Sequence, residues 1–219
     1  INVNKKPMFI YASKSMPKEG KTIYIYNQNE LRKDFLKKVL KKNNIFNYKL
    51  FGLKRITKGQ ANTCLRVKEL VNQKDPIFIH SCDSLINYDY KKFINLINKN
   101  DIVIFTTTPN KIHLDKPKSY GWIKKYSNNK LKITCKKAAS KTPEKDRVIV
   151  GTFAFKNKNI LFRCINYVVK NKILINNEYY LDIVVREALN LKYKVVQLET
   201  INYHSFGTPE ELENYKKSK

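Results

Sequence analysis

The chain has 219 residues and a mass of 25.9 kDa, a length that suits one α/β domain with a core of ordinary size. Hydrophobic residues make up 42% and aromatics 12%, which excludes a disordered chain, and no apolar run approaches the roughly 20 residues that span a bilayer. The formal charge of +26 first suggests a nucleic-acid partner, yet the cations are mostly lysines scattered in pairs such as Lys37-Lys38 and Lys41-Lys42 among many asparagines and isoleucines. Compositional drift accounts for most of that charge, and an anionic substrate for the rest.

In chain order, INVNKKPMFIY lacks the apolar core and cleavage site of a secretory signal. The opening at Ile1 carries the expectation that further residues precede it in the native protein. KTIYIYN (21–27) reads as a strand, and NELRKDFLKKVLKKNN (29–44) as a helix with Leu31, Phe35, Leu36, Val39 and Leu40 on one face. YKLFGLK reads as a second strand and QANTCLRVKELV (60–71) as a helix. PIFIHS is then a strand, YKKFINLINKN a helix with Phe93, Ile94 and Ile97 inside, and DIVIFTTT a strand. Such strand-helix-strand repetition implies right-handed crossovers and a mainly parallel sheet.

After Thr108 the pattern changes. SYGWIKKYSNNKLKITCKKAA predicts an antiparallel hairpin turning at Ser127-Asn128-Asn129. RVIVGTFAFK is a strand interrupted by Gly151, NILFRCINYVVKN and EYYLDIVVREALN are helices, and YKVVQLETINYHSF is strand material. TPEELENYKK closes the chain as a helix with Thr208 as cap, Pro209 in the first position and Glu211 three residues after the cap. The four cysteines, Cys64, Cys82, Cys135 and Cys164, have no metal-binding spacing and read as reduced thiols of a cytoplasmic protein. One mixed-sheet domain accounts for the whole chain.

Ligands of open α/β sheets collect at the carboxyl ends of parallel strands. Asp83 stands at such an end in IFIHSCDS, where one carboxylate facing substrate phosphates could hold half of a Mg²⁺ site; it could equally cap the element that follows. In TKGQANTCL, Gly59, Gln60 and Thr63 stand at a helix start. A glycine there admits a ligand to the backbone, and a glutamine amide can read a base edge by paired donor and acceptor. A plain glycine loop with a polar helix start would look the same.

GQANTCLRVKELVNQKDPIFIHSCDS resembles the sugar-phosphate nucleotidyltransferase family, whose "GqA-T" helix precedes an apolar strand ending in "sDs". KKPMFIYASKSMP resembles that family's "gKPMi" helix, SYGWI with CKKAAS its substrate-binding hairpin, and VIVGTFAFKNKNIL its "-GtfyF" strand. NNEYYLDIVVREALNLKYKVVQLETINYHSFGTPEELENY resembles its "yy-d-v" helix and closing "wGTPedl" segment. The likeness covers nearly the whole chain, and its wording is most like enzymes of bacterial surface-polysaccharide and capsule clusters, including CTP-dependent ones acting on small phosphorylated acceptors.

The resemblance implies a Rossmann-like nucleotide-diphospho-sugar transferase fold, with a mixed, mainly parallel central sheet flanked by helices and a small antiparallel acceptor-binding hairpin. Residues 1–108 would form the nucleotide-binding half and 109–219 the acceptor-binding half. It implies transfer of a nucleoside monophosphate from a triphosphate, with CTP favoured, to a phosphorylated sugar or small molecule, with Mg²⁺ as cofactor and neither nucleic acid nor membrane as partner. Asp83 would hold the metal; Gly59, Gln60, Thr63 and Ser81 would bind the nucleotide. Lys136 would neutralise the acceptor phosphate, and Gly151, Glu178, Tyr180 and Asp182 would contact the rest of the acceptor. Read without the resemblance, Lys136 is one solvated lysine among many, and Glu178 and Asp182 are acids suited to a helix N-terminus.

Two departures stand out. The stretch before the closing Gly-Thr, NYHSFGTP, has His204 and Ser205 where many members carry a second metal-binding Asp; Asp182, Glu199 or water would have to substitute. The family's glycine-rich "GxGxR" triphosphate loop is not found ahead of KKPM. Competing readings are a glycosyltransferase on the related fold, which usually carries a D-x-D pair, and a nucleotide-binding relative without catalysis. A nucleic-acid binder would expose aromatics among its basics, whereas Tyr24, Tyr26, Phe78 and Phe105 alternate within predicted core strands.

Overall fold

The computed structural model describes residues 1–127 and 130–217. A short hairpin, β1 (Asn2–Val3) and β2 (Lys6–Pro7), leads into α1 (Met8–Ser13), followed by β3 (Thr22–Asn27), α2 (Lys33–Lys42), β4 (Tyr48–Leu53) and α3 (Gln60–Leu65). β5 (Ile77–His80) turns at once into β6 (Ser84–Asn87), and α4 (Tyr90–Lys99) and β7 (Ile102–Thr107) follow. Beyond them lie α5 (Lys111–Asp115), the hairpin β8 (Gly121–Lys125) and β9 (Leu131–Cys135), the long β10 (Arg147–Phe155) and α6 (Lys158–Lys170). The chain ends with α7 (Leu181–Asn190), β11 (Val195–Glu199), β12 (Asn202–Ser205) and α8 (Pro209–Lys217).

The main sheet runs β11-β7-β10-β8-β9, with β5 pairing the C-terminal half of β10. Its two central strands, IVIFTT and RVIVGTFAF, are the most continuously apolar in the chain, as burial on both faces requires. The sheet is mixed, but not in the arrangement that strand-helix-strand repetition suggests. β5 and β7 do point the same way, yet β10 runs antiparallel to both and lies between them; within this sheet, the pair β11 and β7 is parallel. The repetition sets strand direction, while β10, arriving from a later part of the chain, decides who is neighbour to whom.

β3 and β4 form a separate parallel pair, and β6 and β12 a separate antiparallel one. A cleft of about 450 Å³ lies between β3 and β5, lined by Ile23 and Ile25 on one side and Phe78 and Ile79 on the other. Among the described residues, β3 pairs only with β4 and β5 only with β10, so each leaves an edge without a strand partner.

Local chemistry shapes the helices. α2 begins at Lys33, so Leu31 precedes it and is 39% exposed, while Phe35 is 48% exposed; the buried stripe narrows to Leu36 and Leu40. In α4, Phe93 and Ile97, four residues apart, pack with Val103 and Phe105 of β7, and Ile94 turns out to 37% exposure. The helix expected over 60–71 ends at Leu65 and continues as a 3₁₀ turn over Lys68–Leu70. The strand material of 193–206 breaks at Thr200-Ile201 into β11 and β12, and the short β6 and α5 had no distinct sequence signal. At α8 the expected cap is present: Glu211 N–H donates to Thr208 Oγ1 at 3.2 Å, and Thr208 N–H donates to a Glu211 carboxylate oxygen at 3.1 Å. The tip of the 121–135 hairpin, Asn128-Asn129, lies outside the described residues.

Phe78, Tyr88, Phe93 and Phe105 form an edge-to-face and stacked cluster under β7, and Tyr24 packs on Phe9 and Tyr48. These rings pack against one another. The four cysteines are free thiols. Among the described residues, no helix is long and apolar enough to cross a membrane.

Candidate active site

The turn from β5 to β6, Ser81-Cys82-Asp83, presents Asp83. β5 is half-buried and pairs antiparallel with β10; the apolar run IFIH stops where the chain leaves the sheet, and polar residues take over there. The turn is pinned at several points. Ser81 N–H donates to the Gly151 carbonyl at 3.2 Å, Phe206 N–H donates to the Asp83 carbonyl at 2.7 Å, and the Ser81 and Ser84 hydroxyls lie 3.0 Å apart. His80 bridges it from below, with Nδ1 2.7 Å from Thr152 Oγ1 and Nε2 3.0 Å from the Ser84 carbonyl.

Across from Asp83 stands the closing segment between β12 and α8. A Cβ on Gly207 would lie 3.1 Å from an Asp83 carboxylate oxygen and 3.6 Å from Ser205 Oγ, so these two groups face one spot. The Glu211 carboxylate accepts from Ser205 Oγ, from Thr208 N–H and Oγ1, and from the Tyr120 hydroxyl, which fixes the segment rigidly. Neither acid considered as a second metal ligand makes its contacts here: Glu199 pairs with Arg147 and accepts from Thr108, and Asp182 belongs to the cluster described below.

Gly151 lies within β10 at φ +70°, where the register against β7 shifts between Ile149 and Phe153. This bulge turns the backbone toward the β5–β6 turn, and a Cβ there would meet Ser81 Oγ at 3.1 Å. Gly59 has a different reason to be glycine. At φ +92° and ψ 177° it occupies a region that essentially only glycine enters, and a Cβ would meet the Tyr179 backbone N and O at 2.8 Å. Tyr179 N–H donates to the Lys58 carbonyl and Ala61 N–H to the Tyr179 carbonyl, so the start of α3 is locked onto the segment that carries Tyr180 and Asp182. Gln60 is exposed and lines the cleft, while the Thr63 hydroxyl donates to the Gly59 carbonyl.

Lys136, Tyr180 and Asp182 form a second cluster at the base of the β8–β9 hairpin. Lys136, at φ +55°, ends the hairpin; its Nζ donates to the Ser119 carbonyl at 2.6 Å and sits 5.2 Å above the Tyr180 ring. Asp182 packs so closely on Gly121 that a Cβ there would lie 2.1 Å from a carboxylate oxygen. Loss of water pushes its carboxyl up to about 6, outweighing the nearby Lys136 ammonium and the hydrogen bond from the Cys135 thiol. The Asn176-Asn177 pair, both at positive φ, turns the chain so that Glu178 accepts from the Tyr180 hydroxyl.

Asp182 therefore has a predictable cost. Its folded value lies above the ordinary 3.8, so its contribution to stability is complete below about 4 and is lost as pH rises through about 6. Asp182→Asn is expected to remove that fall and to be more stable than the parent at pH 7.5 by up to roughly 3 kcal/mol. His80 shifts the other way: burial lowers it to about 4, so its contribution is lost as pH falls from 6.5 through 4. In urea melts from pH 4 to 8, the parent is expected to show the two slopes partly cancelling and the Asp182→Asn variant only the His80 slope; equal slopes in both proteins would refute this.

Gln60, Thr63, Ser81, Asp83 and Gly151 all line the one cleft, although up to 91 positions separate them. Gly59 stands behind it, against Tyr179, and Lys136, Glu178, Tyr180 and Asp182 form the neighbouring cluster. Sequence reading did not find His80, Cys135, Gly121 or the Ser205-Gly207 contact, and only the glycine before the closing Thr-Pro offered a hint of the last. Asp83 is the one carboxylate lining the cleft, and no group of three His, Cys, Asp or Glu side chains gathers among the described residues. A hard divalent cation that arrives coordinated by phosphate oxygens fits one carboxylate and a hydroxyl; a cation held by protein alone does not.

The layered α/β fold gathers a glycine bulge, a strand-end carboxylate and a polar helix start at one cleft, the kind of place where such folds take their ligands. The family profile described as Nucleotidyl transferase matches residues 1–202, and the chain belongs to that family. It is a nucleotidyltransferase. No curated protein sequence matches the chain. Among solved structures, it is similar to a nucleoside-diphosphate-sugar pyrophosphorylase from Vibrio cholerae RC9, with a TM-score of 0.78 at 14% identity over 99% of this chain and 90% of that one. It is also similar to a UDP-glucose pyrophosphorylase complexed with UDP-glucose, with a TM-score of 0.73 at 18% identity over 100% and 90%. A third similar structure is the inositol-1-phosphate CTP transferase of T. maritima, with a TM-score of 0.69 at 16% identity over 95% and 80%.

Proposed function

We propose that the protein transfers a nucleoside monophosphate, preferably from CTP, to a phosphorylated sugar or other small phosphate and releases pyrophosphate, as a cytoplasmic step in making a surface or capsular polysaccharide. The observation that carries this reading is the convergence of Gln60, Ser81, Asp83 and Gly151 on one cleft beside the Lys136 cluster. The CTP preference rests on the wording of the resemblance, and a similar structure is that of a CTP transferase.

The physical difficulty is to bring one anionic phosphate against another. An oxygen of the acceptor phosphate attacks the α-phosphorus, the bond from that phosphorus to the oxygen bridging the β-phosphate breaks, and pyrophosphate leaves with the electron pair. Catalysis is then largely alignment and charge neutralisation. Asp83 and the Ser205 hydroxyl would hold Mg²⁺, which supplies charge neutralisation at the transferring phosphate when bound. Gln60 reads the base edge from the start of α3, with Thr63 and Gly59 shaping that turn. Lys136 leaves the Ser119 carbonyl to take the acceptor phosphate, while Gly151 gives that phosphate close access to the backbone. Glu178, Tyr180 and Asp182 contact the remainder of the acceptor.

The test is a matrix of four nucleoside triphosphates and a panel of sugar phosphates and small alkyl phosphates, read by pyrophosphate release from the purified protein. Release that requires both a triphosphate and one class of acceptor is expected. Absence of acceptor-dependent release over the whole matrix, with tight and salt-sensitive oligonucleotide binding instead, would overturn the reading.

A further inference from the structure

The Asp83 turn is only three residues long, and its geometry depends on a side chain outside it. His80 is paired directly with Thr152 across β5 and β10, so the imidazole and the Thr152 hydroxyl lie on one face of the sheet and meet at 2.7 Å. The other ring nitrogen reaches the Ser84 carbonyl at 3.0 Å, on the far side of the turn. A carbonyl can only accept, so Nε2 carries the hydrogen; Nδ1 is then the acceptor, and the Thr152 hydroxyl is its donor. One ring thus ties the first residue after the turn to the strand that carries Gly151.

We infer that His80 is a positioning residue, a rigid strut that sets the height and direction of Asp83 relative to the Gly151 bulge. The bonds it makes close the turn from β5 to β6 and refer it to β10. The remaining supports, Ser81 N–H to the Gly151 carbonyl, Phe206 N–H to the Asp83 carbonyl and the Ser81–Ser84 hydroxyl contact, do not reach the Thr152 side chain. Thr152, next to Gly151, makes the strut sensitive to the same bulge that opens the backbone to the acceptor, so metal position and acceptor access are linked through one side chain. The inference rests on the proposed role of Asp83 as metal ligand.

His80→Leu removes both bonds at similar volume, His80→Gln keeps one donor and one acceptor, and Thr152→Val cuts only the anchor to β10. Hydrogen–deuterium exchange of the amides of residues 81–85 is expected to quicken about tenfold in His80→Leu, to an intermediate degree in Thr152→Val, and little in His80→Gln, with β8 and β9 unchanged. The Mg²⁺ concentration for half-maximal rate is expected to rise about tenfold in His80→Leu, with the nucleotide KM within about twofold of the parent and recovery in His80→Gln. Unchanged exchange in both His80→Leu and Thr152→Val would overturn the strut. Faster exchange with an unchanged Mg²⁺ requirement would overturn its link to the metal. Should His80→Leu fail to fold, Thr152→Val decides alone by the same two readings. Because exchange does not depend on turnover, failure of the metal assignment of Asp83 remains distinguishable from failure of the strut.

Discussion

Asp83→Asn is expected to lower the rate of acceptor-dependent pyrophosphate release by at least a hundredfold, on the scale seen when one preorganised electrostatic partner of a transition state is removed. Asn has the same shape and can keep the turn, because what holds it are backbone groups, serine hydroxyls and His80, none of which uses the Asp83 carboxylate. Folding should therefore be intact, with a melting temperature within a degree or two of the parent. The loss should appear in kcat, and added Mn²⁺ should restore part of it if charge at the metal is what is missing. Full turnover in Asp83→Asn would remove Asp83 from the site and move attention to the Ser205 side of the cleft.

Gly59→Ala should have the largest effect on stability. The backbone there is in a region closed to a Cβ, which costs of the order of 1–3 kcal/mol. The Cβ would in addition press on the Tyr179 backbone N and O at 2.8 Å, where no side chain can move aside. Together these predict a loss of about 3 kcal/mol or more, or roughly 6–12 °C in melting temperature. Gly20→Ala is the natural control, since its φ is +93° but nothing lies within 4 Å of a Cβ; it should lose only the strain. Equal losses in the two variants would mean that the Tyr179 contact has no weight. The surviving fraction of Gly59→Ala should also bind acceptor poorly, because Tyr179 precedes Tyr180 and Asp182.

Much of the architecture can be read from local pattern. The buried runs of β7 and β10, the α8 cap built from Thr208 and Glu211, and the position of Asp83 after an apolar strand all follow from residue spacing and chemistry. Periodicity failed where burial was partial: Ile94 and Phe35 look like inward positions on a helical wheel, but their neighbours in space leave them open. Short elements such as β6 also escaped, because four residues paired to a distant strand carry no period of their own. The candidate site was legible as residues and not as a place. Asp83, Gln60 and Gly151 were each recognisable, while their common cleft needed the sheet order.

By itself, then, the sequence determined an α/β chain rich in lysine and the acid at the end of β5. Tertiary structure alone decided that β10 should lie between β5 and β7, which brings Gly151 to Ser81 and Thr152 to His80. It alone decided that Gly59 should meet Tyr179 and that Gly207 should meet Asp83. The reason is that periodicity reports which face of an element is buried, whereas pairing between residues 70 or more positions apart is chosen by packing over the whole sheet, and no local spacing records that choice.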